Sequence, residues 1–450
     1  MPSSAPILCG IDLGSTKLKV LLLAADGTVL WRESRPTPHQ VDDAGAATDA
    51  DELLRLVEAM MIAACRGAGM AQPLRAVAVA GTGEEGVPVD AQGAALDSAV
   101  RWHDRRAAAI ADEMAHRPLW SAAALPVDLD YSRTAAKWAW GRRYRPGPLA
   151  AARSWVTLTD YPAARWTGAR FMSESLAART ACWHIGDRRW IPALLADCGA
   201  PPLPAVVPAE TVLGRLRSPA LAAAAVVDDS TLVVAGGHDH PVAAFAVRQR
   251  YPDAIFDSMG TAELIYAEIP PRPDGGQPAR HPLFAFSHPV RGAGIACLGV
   301  TELSAVLEPL LDDGGMLGRQ FRAVMAGETV PGAPGAGPAL RDRLEAVTFE
   351  TQARLHALAA LGVPDGPLLT GGGWARSESF LRLRASLLGR TIQRVEEAEL
   401  TAYGAALLAA GAAGCMPPLA LETKLIAPDP DWARSYAARN PAKRPAQEAR

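Results

Sequence analysis

The first thirty residues carry three apolar runs separated by turn residues. Residues 7–11 read as a strand, Gly14-Ser15-Thr16 turns the chain, and residues 18–23 read as a second strand. Asp26-Gly27 is a hairpin dipeptide, after which residues 28–31 return as a third strand. The period then lengthens. Between about residues 51 and 66, Leu53, Leu54, Val57, Met60, Met61 and Ala64 share one face of a predicted helix. Residues 74–80 are again continuously apolar, a buried strand. Three antiparallel strands, a helix and a further strand form the opening of a ribonuclease-H-like or actin-like half-domain.

A similar pattern begins again in the second half. An apolar strand at residues 232–235 runs into Gly236-Gly237 and a helix start near Pro241. Residues 254–256 lead into Asp257-Ser258-Met259-Gly260-Thr261, with Leu264-Ile265-Tyr266 behind. Asp12 and Asp257 each stand four positions before a Thr, with Gly between and a strand after, as two related halves would show. The predicted class is α/β with two actin-like domains, 1–235 and 236–430, and a flexible polar tail over 431–450. Residues 118–216, rich in Trp, Arg and Pro, read as an elaboration of the first domain. The run PGAPGAGP at 331–338 reads as a loop ahead of a long helix over 339–361.

Composition narrows the classes of function. The chain has 450 residues, 49% hydrophobic and 21% charged, enough to bury a large core. A formal net charge of −3 without long runs of one sign argues against a nucleic-acid or membrane-surface binder. The N-terminus lacks the basic and apolar regions of a signal peptide, and no apolar run reaches membrane-spanning length. The six cysteines have no paired spacing, which fits a reducing cytoplasmic compartment and no zinc site. The expected partners are small molecules. A homodimer is left open, since nothing in the sequence sets oligomeric state.

No GxxxxGK[ST] stretch occurs, so any nucleotide phosphates must be held another way. GIDLGSTKLKV offers one. A strand delivers Asp12, Gly14 lets the backbone approach an anion, and Ser15 and Thr16 supply donors. Asp12 is placed to hold magnesium, which prefers oxygen ligands. By itself the pattern is equally an ordinary hairpin with a surface Asp. Gly260-Thr261 would face it as a second phosphate loop. In LLTGGGWARSESF, Gly371-Gly372-Gly373 lets a flat base or ribose approach ahead of a helix carrying Ser377. A glycine triplet alone is usually just a loop; the order of the three segments is what makes them specific.

With these segments in place the sequence resembles the FGGY carbohydrate kinases, over residue 7 to about 414. The resemblance is carried by GIDLGSTKLKV, RWHDRRA (101–107), SRTAAKWAW (132–140), AGGHDHPVAA (235–244), SMGTAE (258–263), TGGGWARSESFLR (370–382) and ELTAYGAALLAAGAAG (399–414). It implies an ATP-dependent sugar kinase with ATP and substrate in a cleft between two actin-like domains, closing on its sugar. Asp239 matches the family's catalytic base, and Asp12 its magnesium-associated aspartate. Thr261, Gly299, Gly372 and Ser377 fall where family members contact nucleotide, beside Gly14, Ser15, Thr16, Gly260 and Gly373 of the turns read above. Glu399 matches an acidic position ahead of a small-residue helix. Glu84, Trp102, Asp104 and His238 fall on the sugar side with Asp239. Two departures stand out: Gly141 where an aliphatic residue is usual, and Ala262 in place of a hydroxyl residue.

Asp239 suits general-base work because it follows two glycines at the end of a buried strand. His238 and His240 suggest a metal site, but strand alternation would put Asp239 on the opposite side from both, so hydrogen bonds to substrate or backbone are expected instead. Trp102 is either a flat wall for a polyol or core packing. Arg105 and Arg106 read as a solvated pair and Lys137 as a buried structural cation. Two other readings remain: a non-catalytic sugar sensor, and another actin-like phosphotransferase. The acceptor expected is a ketose or related polyol, GGHDHP standing nearest the L-fuculokinase-like branch.

Overall fold

In a computed structural model, the protein is described over residues 5–121, 123, 125, 127–260, 262–271, 280–328, 338–419 and 421–439. Thr261, residues 331–337 of the PGAPGAGP run and residues 440–450 lie outside them. The elements that matter are the strands β1 (Ile7–Leu13), β2 (Lys17–Ala24) and β3 (Val29–Pro36), the helix α1 (Ala50–Gly67) and the strand β4 (Ala76–Gly81). They are followed by α2 (Thr134–Tyr144), β5 (Val212–Arg215), β6 (Leu232–His238) and α3 (Asp239–Arg248). These strands form one sheet in the order β5-β6-β4-β1-β2-β3. β1, β2 and β3 are antiparallel, whereas β4 and β6 run parallel to β1.

The local reasons are legible. Asp49 caps α1 by accepting from the backbone N–H groups of Asp51 and Glu52, both acidic residues of the first turn. Leu53, Val57, Met60, Met61 and Ala64 are buried on the expected face, with Leu54 only half-buried. They pack in one core with Ile7, Cys9, Ile11 and Leu13, the side chains of alternate positions of β1.

The second sheet repeats the plan. It contains β7 (Ile255–Met259), β8 (Glu263–Ile269) and β9 (Ile295–Thr301), then α4 (Pro338–Ala360), β10 (Leu368–Gly371), α5 (Glu378–Leu388) and β11 (Ile392–Val395). The helix α6 (Leu400–Ala412), the strand β12 (Thr423–Ile426) and the helix α7 (Pro430–Arg439) complete the chain described. Six of the seven strands of this sheet run in the order β9-β8-β7-β10-β11-β12. An antiparallel pair, β7 and β8, is again extended by two parallel strands, β10 and β11, and closed by an antiparallel edge.

The duplication is one of topology, and the paired aspartates do not share it. Asp12 lies on the face of β1 opposite to α1. Asp257 is turned toward the helices, where the fully buried Arg384 of α5 binds both it (2.8 Å) and Glu263, and Thr351 of α4 joins them. A one-residue offset along a strand exchanges its faces. Asp257 is therefore a core residue.

The chain divides into two compact units, residues 1–249 with 271–296 and 399–420, and residues 250–270 with 297–398 and 421–450. This differs from a boundary at 235/236. α3 follows directly from β6, and α6 returns from far along the sequence to lie on β1. The return depends on small residues. A Cβ on Gly10 would run into the backbone of Ala402 and Ala406 in α6, and one on Gly404 into the Val242 carbonyl of α3. Residues 402–410 of α6 are buried all round, as the near-absence of polar side chains there requires.

The expected flexible tail is corrected over its first part. Residues 430–439 are helix α7, whose Tyr436 is buried and donates to Glu345 Oε1 at 2.5 Å, while Arg341 Nη2 donates to the same hydroxyl at 2.9 Å. The aromatic ring supplied the burial that a count of charges does not register.

Candidate active site

Three neighbouring parallel strands, β1, β4 and β6, end at the same level. Asp12 is opposite Ala80, and Ala80 is opposite Gly237. At roughly 4.8 Å per strand, Asp12 and the end of β6 are about 10 Å apart. The carboxyl ends of parallel strands are where ligands bind in α/β sheets.

β6 is re-aimed just before its end. Ala235 pairs with Val79 and Gly237 with Ala80, so Gly236 is an extra residue, a bulge. A Cβ there would strike the carbonyl of Val79, and Gly237 has φ +136°. Only glycines fit both places. The bulge delivers His238, whose N–H donates to Ser175 Oγ at 2.9 Å, and Asp239 opens α3.

Because the strand stops at His238, alternation does not carry across to His240. The expectation that Asp239 points away from both histidines is thereby corrected. His240 Nδ1 lies 2.6 Å and His238 Nε2 3.3 Å from the same oxygen, Asp239 Oδ1. The ligand atoms of the three side chains lie within 4.8 Å of one another, close enough to gather round a cation. Burial alone would raise the Asp239 carboxyl, but the pull of His240 and then His238 outweighs it, and the group sits well below the usual carboxylate range. Burial pushes His238 down to about 4, whereas Asp239 outweighs burial at His240 and raises it. Near neutral pH, Asp239 is an ionised carboxylate beside a neutral His238.

Asp12 is buried at the end of β1. Its Oδ2 lies 3.2 Å from Lys19 Nζ, which is also 2.9 Å from Glu399 Oε2 at the start of α6. Burial raises Asp12 to about 6; Lys19 opposes the shift, and Asp239 and Glu399 add to it. The following turn is pinned from outside: Thr37 Oγ1 donates to the Gly14 carbonyl at 2.6 Å, Thr37 N–H to the Thr16 carbonyl, and Arg101 Nη2 to the Ser15 carbonyl.

Beyond β4, Glu84 is buried, and its Oε1 accepts from Arg133 (2.9 Å) and Arg179 (2.7 Å). Burial pushes this carboxyl up, and the two guanidinium groups pull it down to about 2. Lys137 of α2 donates to the Glu84 carbonyl at 2.9 Å and the Val100 carbonyl at 3.1 Å, a buried cation. Asp104 holds Arg106 through Nε at 2.9 Å and accepts from Ala46 N–H at 2.5 Å. Arg106 is thus no solvated residue. Its side chain is 2% exposed, between Asp104, Asp42 and the ring of Trp140. Trp102 is 37% exposed, so core packing does not describe it; its backbone N–H donates to Glu85 Oε1.

In the second unit, Gly372 has φ +102°, and a Cβ there would meet the carbonyl of Met259 and the nitrogen of Gly260. The glycine triplet therefore lies directly against the second candidate phosphate turn. Around Gly373 there is open space. Ser377 caps α5 by accepting from Phe380 N–H, and its hydroxyl donates to the Val324 carbonyl at 2.8 Å. Gly299 is inside β9. Lys19, Arg133 and Arg179 were not foreseen. Lys19 had a signal, since the hairpin register that pairs residues 13 and 18 puts it opposite Asp12. The two arginines are 49 and 95 positions from Glu84 and had none.

Comparison with known proteins accounts for this layout. Residues 7–246 match the N-terminal domain of the FGGY family of carbohydrate kinases and residues 320–413 its C-terminal domain. A xylulose kinase of Streptomyces rubiginosus is 27% identical over 91% of this chain and 88% of its own. A glycerol kinase of Gloeobacter violaceus is 26% identical over 89% and 87%. Among solved structures, the xylulose kinase of Rhodospirillum rubrum superposes with a TM-score of 0.83 over 96% of both chains, at 21% identity. The two repeated sheets are those of a two-domain actin-like fold, and the chain belongs to the FGGY family of carbohydrate kinases, ATP-dependent phosphotransferases that act on sugar hydroxyls.

Proposed function

We propose that this kinase transfers the γ-phosphoryl group of Mg-ATP to a hydroxyl of a ketose or related polyol, with Asp239 receiving the hydroxyl proton. The observation that carries the reading is the ionised carboxylate of Asp239, fixed by its two histidines at the bulged end of β6 beside the β1 turn. The acceptor oxygen bonds to phosphorus, the bond from phosphorus to the bridging oxygen breaks, and ADP leaves with that oxygen. The proton passes to Asp239. Phosphoryl transfer demands positioning more than strong basicity, so a carboxylate of low pKa suffices to orient the hydroxyl.

Asp12 would hold the magnesium. Its environment is rich in oxygen donors, because Asp239 and Glu399 lie near enough to raise its pKa, and such donors suit that ion. Bound there, magnesium neutralises phosphate charge. Gly14, Ser15 and Thr16 turn backbone donors toward the phosphates, and the open space at Gly373 admits the adenosine. The exposed ring of Trp102 offers a flat wall to the carbon side of a polyol. Relatives named as xylulose and glycerol kinases bracket the acceptor class. The L-fuculokinase-like reading rests on GGHDHP alone. The six free cysteines suit a reducing cytoplasmic compartment. Among the described residues no helix is long and apolar enough to cross a membrane.

The test is ADP release from Mg-ATP across pentuloses, deoxyketohexoses and tetritols. Absence of any acceptor-dependent ADP would favour a sensor. Asp239→Asn is expected to bind ATP normally and to lose about 10²- to 10⁴-fold in kcat. Full activity in that variant would remove Asp239 as the base.

A further inference from the structure

Among the described residues, two buried cations of the first unit lack an ion pair: Lys137, which donates to two backbone carbonyls, and Arg101. Arg101 is 6% exposed, yet among the described residues no carboxylate lies within 4 Å of it. Arg133 and Arg179 share Glu84, Arg106 has Asp104 and Asp42, and Lys19 has Asp12 and Glu399. Among the described residues, Arg101 makes one side-chain hydrogen bond, from Nη2 to the Ser15 carbonyl, and its buried Nε has no partner. Nη1, which makes no hydrogen bond either, is not among the sealed atoms and is the end that stays accessible. The Arg101 charge is felt by the buried Glu85, but no carboxylate pairs with it directly, and a guanidinium buried without a direct partner leaves a donor free for an anion.

Its position says which anion. On one side it grips the turn after β1, and on the other it is followed by Trp102, whose backbone N–H is tied to Glu85 beyond β4. The first segment handles nucleotide and the second handles acceptor in the function proposed above, on which this inference rests. The group that passes between them is the phosphoryl group. We propose that Arg101 is a phosphoryl-binding residue, donating from Nη1 to a non-bridging oxygen of the γ-phosphoryl group before and during its transfer. A planar fork of donors is suited to phosphate oxygens, and a cation fixed in a water-poor site needs no reorganisation as charge shifts. Gripping Ser15 with Nη2 holds the fork in place in advance.

The experiment compares Arg101→Gln and Arg101→Lys with the parent enzyme. Binding of ADP and of the non-hydrolysable triphosphate AMPPNP, each with magnesium, is measured by calorimetry, which needs no acceptor. Arg101→Gln should leave ADP affinity within about twofold and weaken AMPPNP about tenfold, since one charge-assisted contact to the γ-phosphate is lost. With an active acceptor, kcat should fall about 10²- to 10³-fold while the acceptor KM stays within about twofold. Arg101→Lys keeps the charge and a donor, should fold wherever the Gln variant does not, and should fall between the two. An equal change in ADP and AMPPNP affinity, or none, would overturn the proposal. So would a selective rise in acceptor KM, which would assign Arg101 to an anionic group on the acceptor. If the kinase reading itself failed, no acceptor would release ADP from the parent, while the AMPPNP-to-ADP comparison would still decide Arg101.

Discussion

Lys137 shows at the scale of one residue what a site beside a sheet edge demands. It donates to two backbone carbonyls, and burial brings its ammonium from 10.5 down to about 8, against the opposing pull of Glu85. Below pH 8 it is charged both folded and unfolded, and the fold carries the cost of burying it. Between about pH 8 and 10.5 the unfolded chain binds more protons, so stability rises with pH, by an amount on the order of 3 kcal/mol. Lys137→Met should lack that rise. Denaturant midpoints at pH 7.5 and pH 10 for the two proteins check it, and equal slopes would refute it. The neighbouring ion pairs behave oppositely. Glu84, held near 2 by Arg179 and Arg133, contributes stability above its ordinary 4.5 and loses it only as pH falls toward 2.

At the scale of elements, the contact of α6 with β1 is the most exacting. A methyl at Gly10 meets helix backbone, which cannot rotate away as a side chain could. Gly10→Ala should therefore cost at least about 3 kcal/mol, the upper end for overpacking, read as a fall in urea midpoint at constant m-value. A smaller loss would mean that α6 shifts freely. Elements are also where sequence reading succeeded and failed. The hairpin at residues 7–24, helix α1 and the repeated half were legible because periodicity and glycine turns are local signals. The placement of Asp257 was not, because spacing to a Thr does not fix which face of a strand a side chain takes. His238 and His240 were misjudged for the same reason: the exact end of a strand decides whether alternation applies. Asp12 and Asp239 could be picked out by motif, whereas the arginines that tie down Glu84 are joined to it only by the fold.

For the whole molecule, the first unit is discontinuous. Its sheet and α3 are complete by residue 249, but α6 and the residues around it come from 399–420. A fragment of residues 1–249 should be insoluble or molten, with near-ultraviolet dichroism lost. Joining residues 271–296 and 399–420 to it through Gly/Ser linkers should restore a cooperative melt. Cooperative unfolding of the shorter fragment alone would show that α6 is dispensable.

The face around Gly10 and Val242 also has a history in time. It is shaped for one helix only, yet it leaves the ribosome long before that helix does. Roughly 160 residues separate the end of α3 from the end of α6, about 10 to 30 s of synthesis. Through that interval the growing chain displays an apolar trough of small residues with nothing yet made to fill it. Its yield in a cell is then set partly by what shields the trough until residues 400–412 have been made, and slow codons between the two segments would lengthen that exposure.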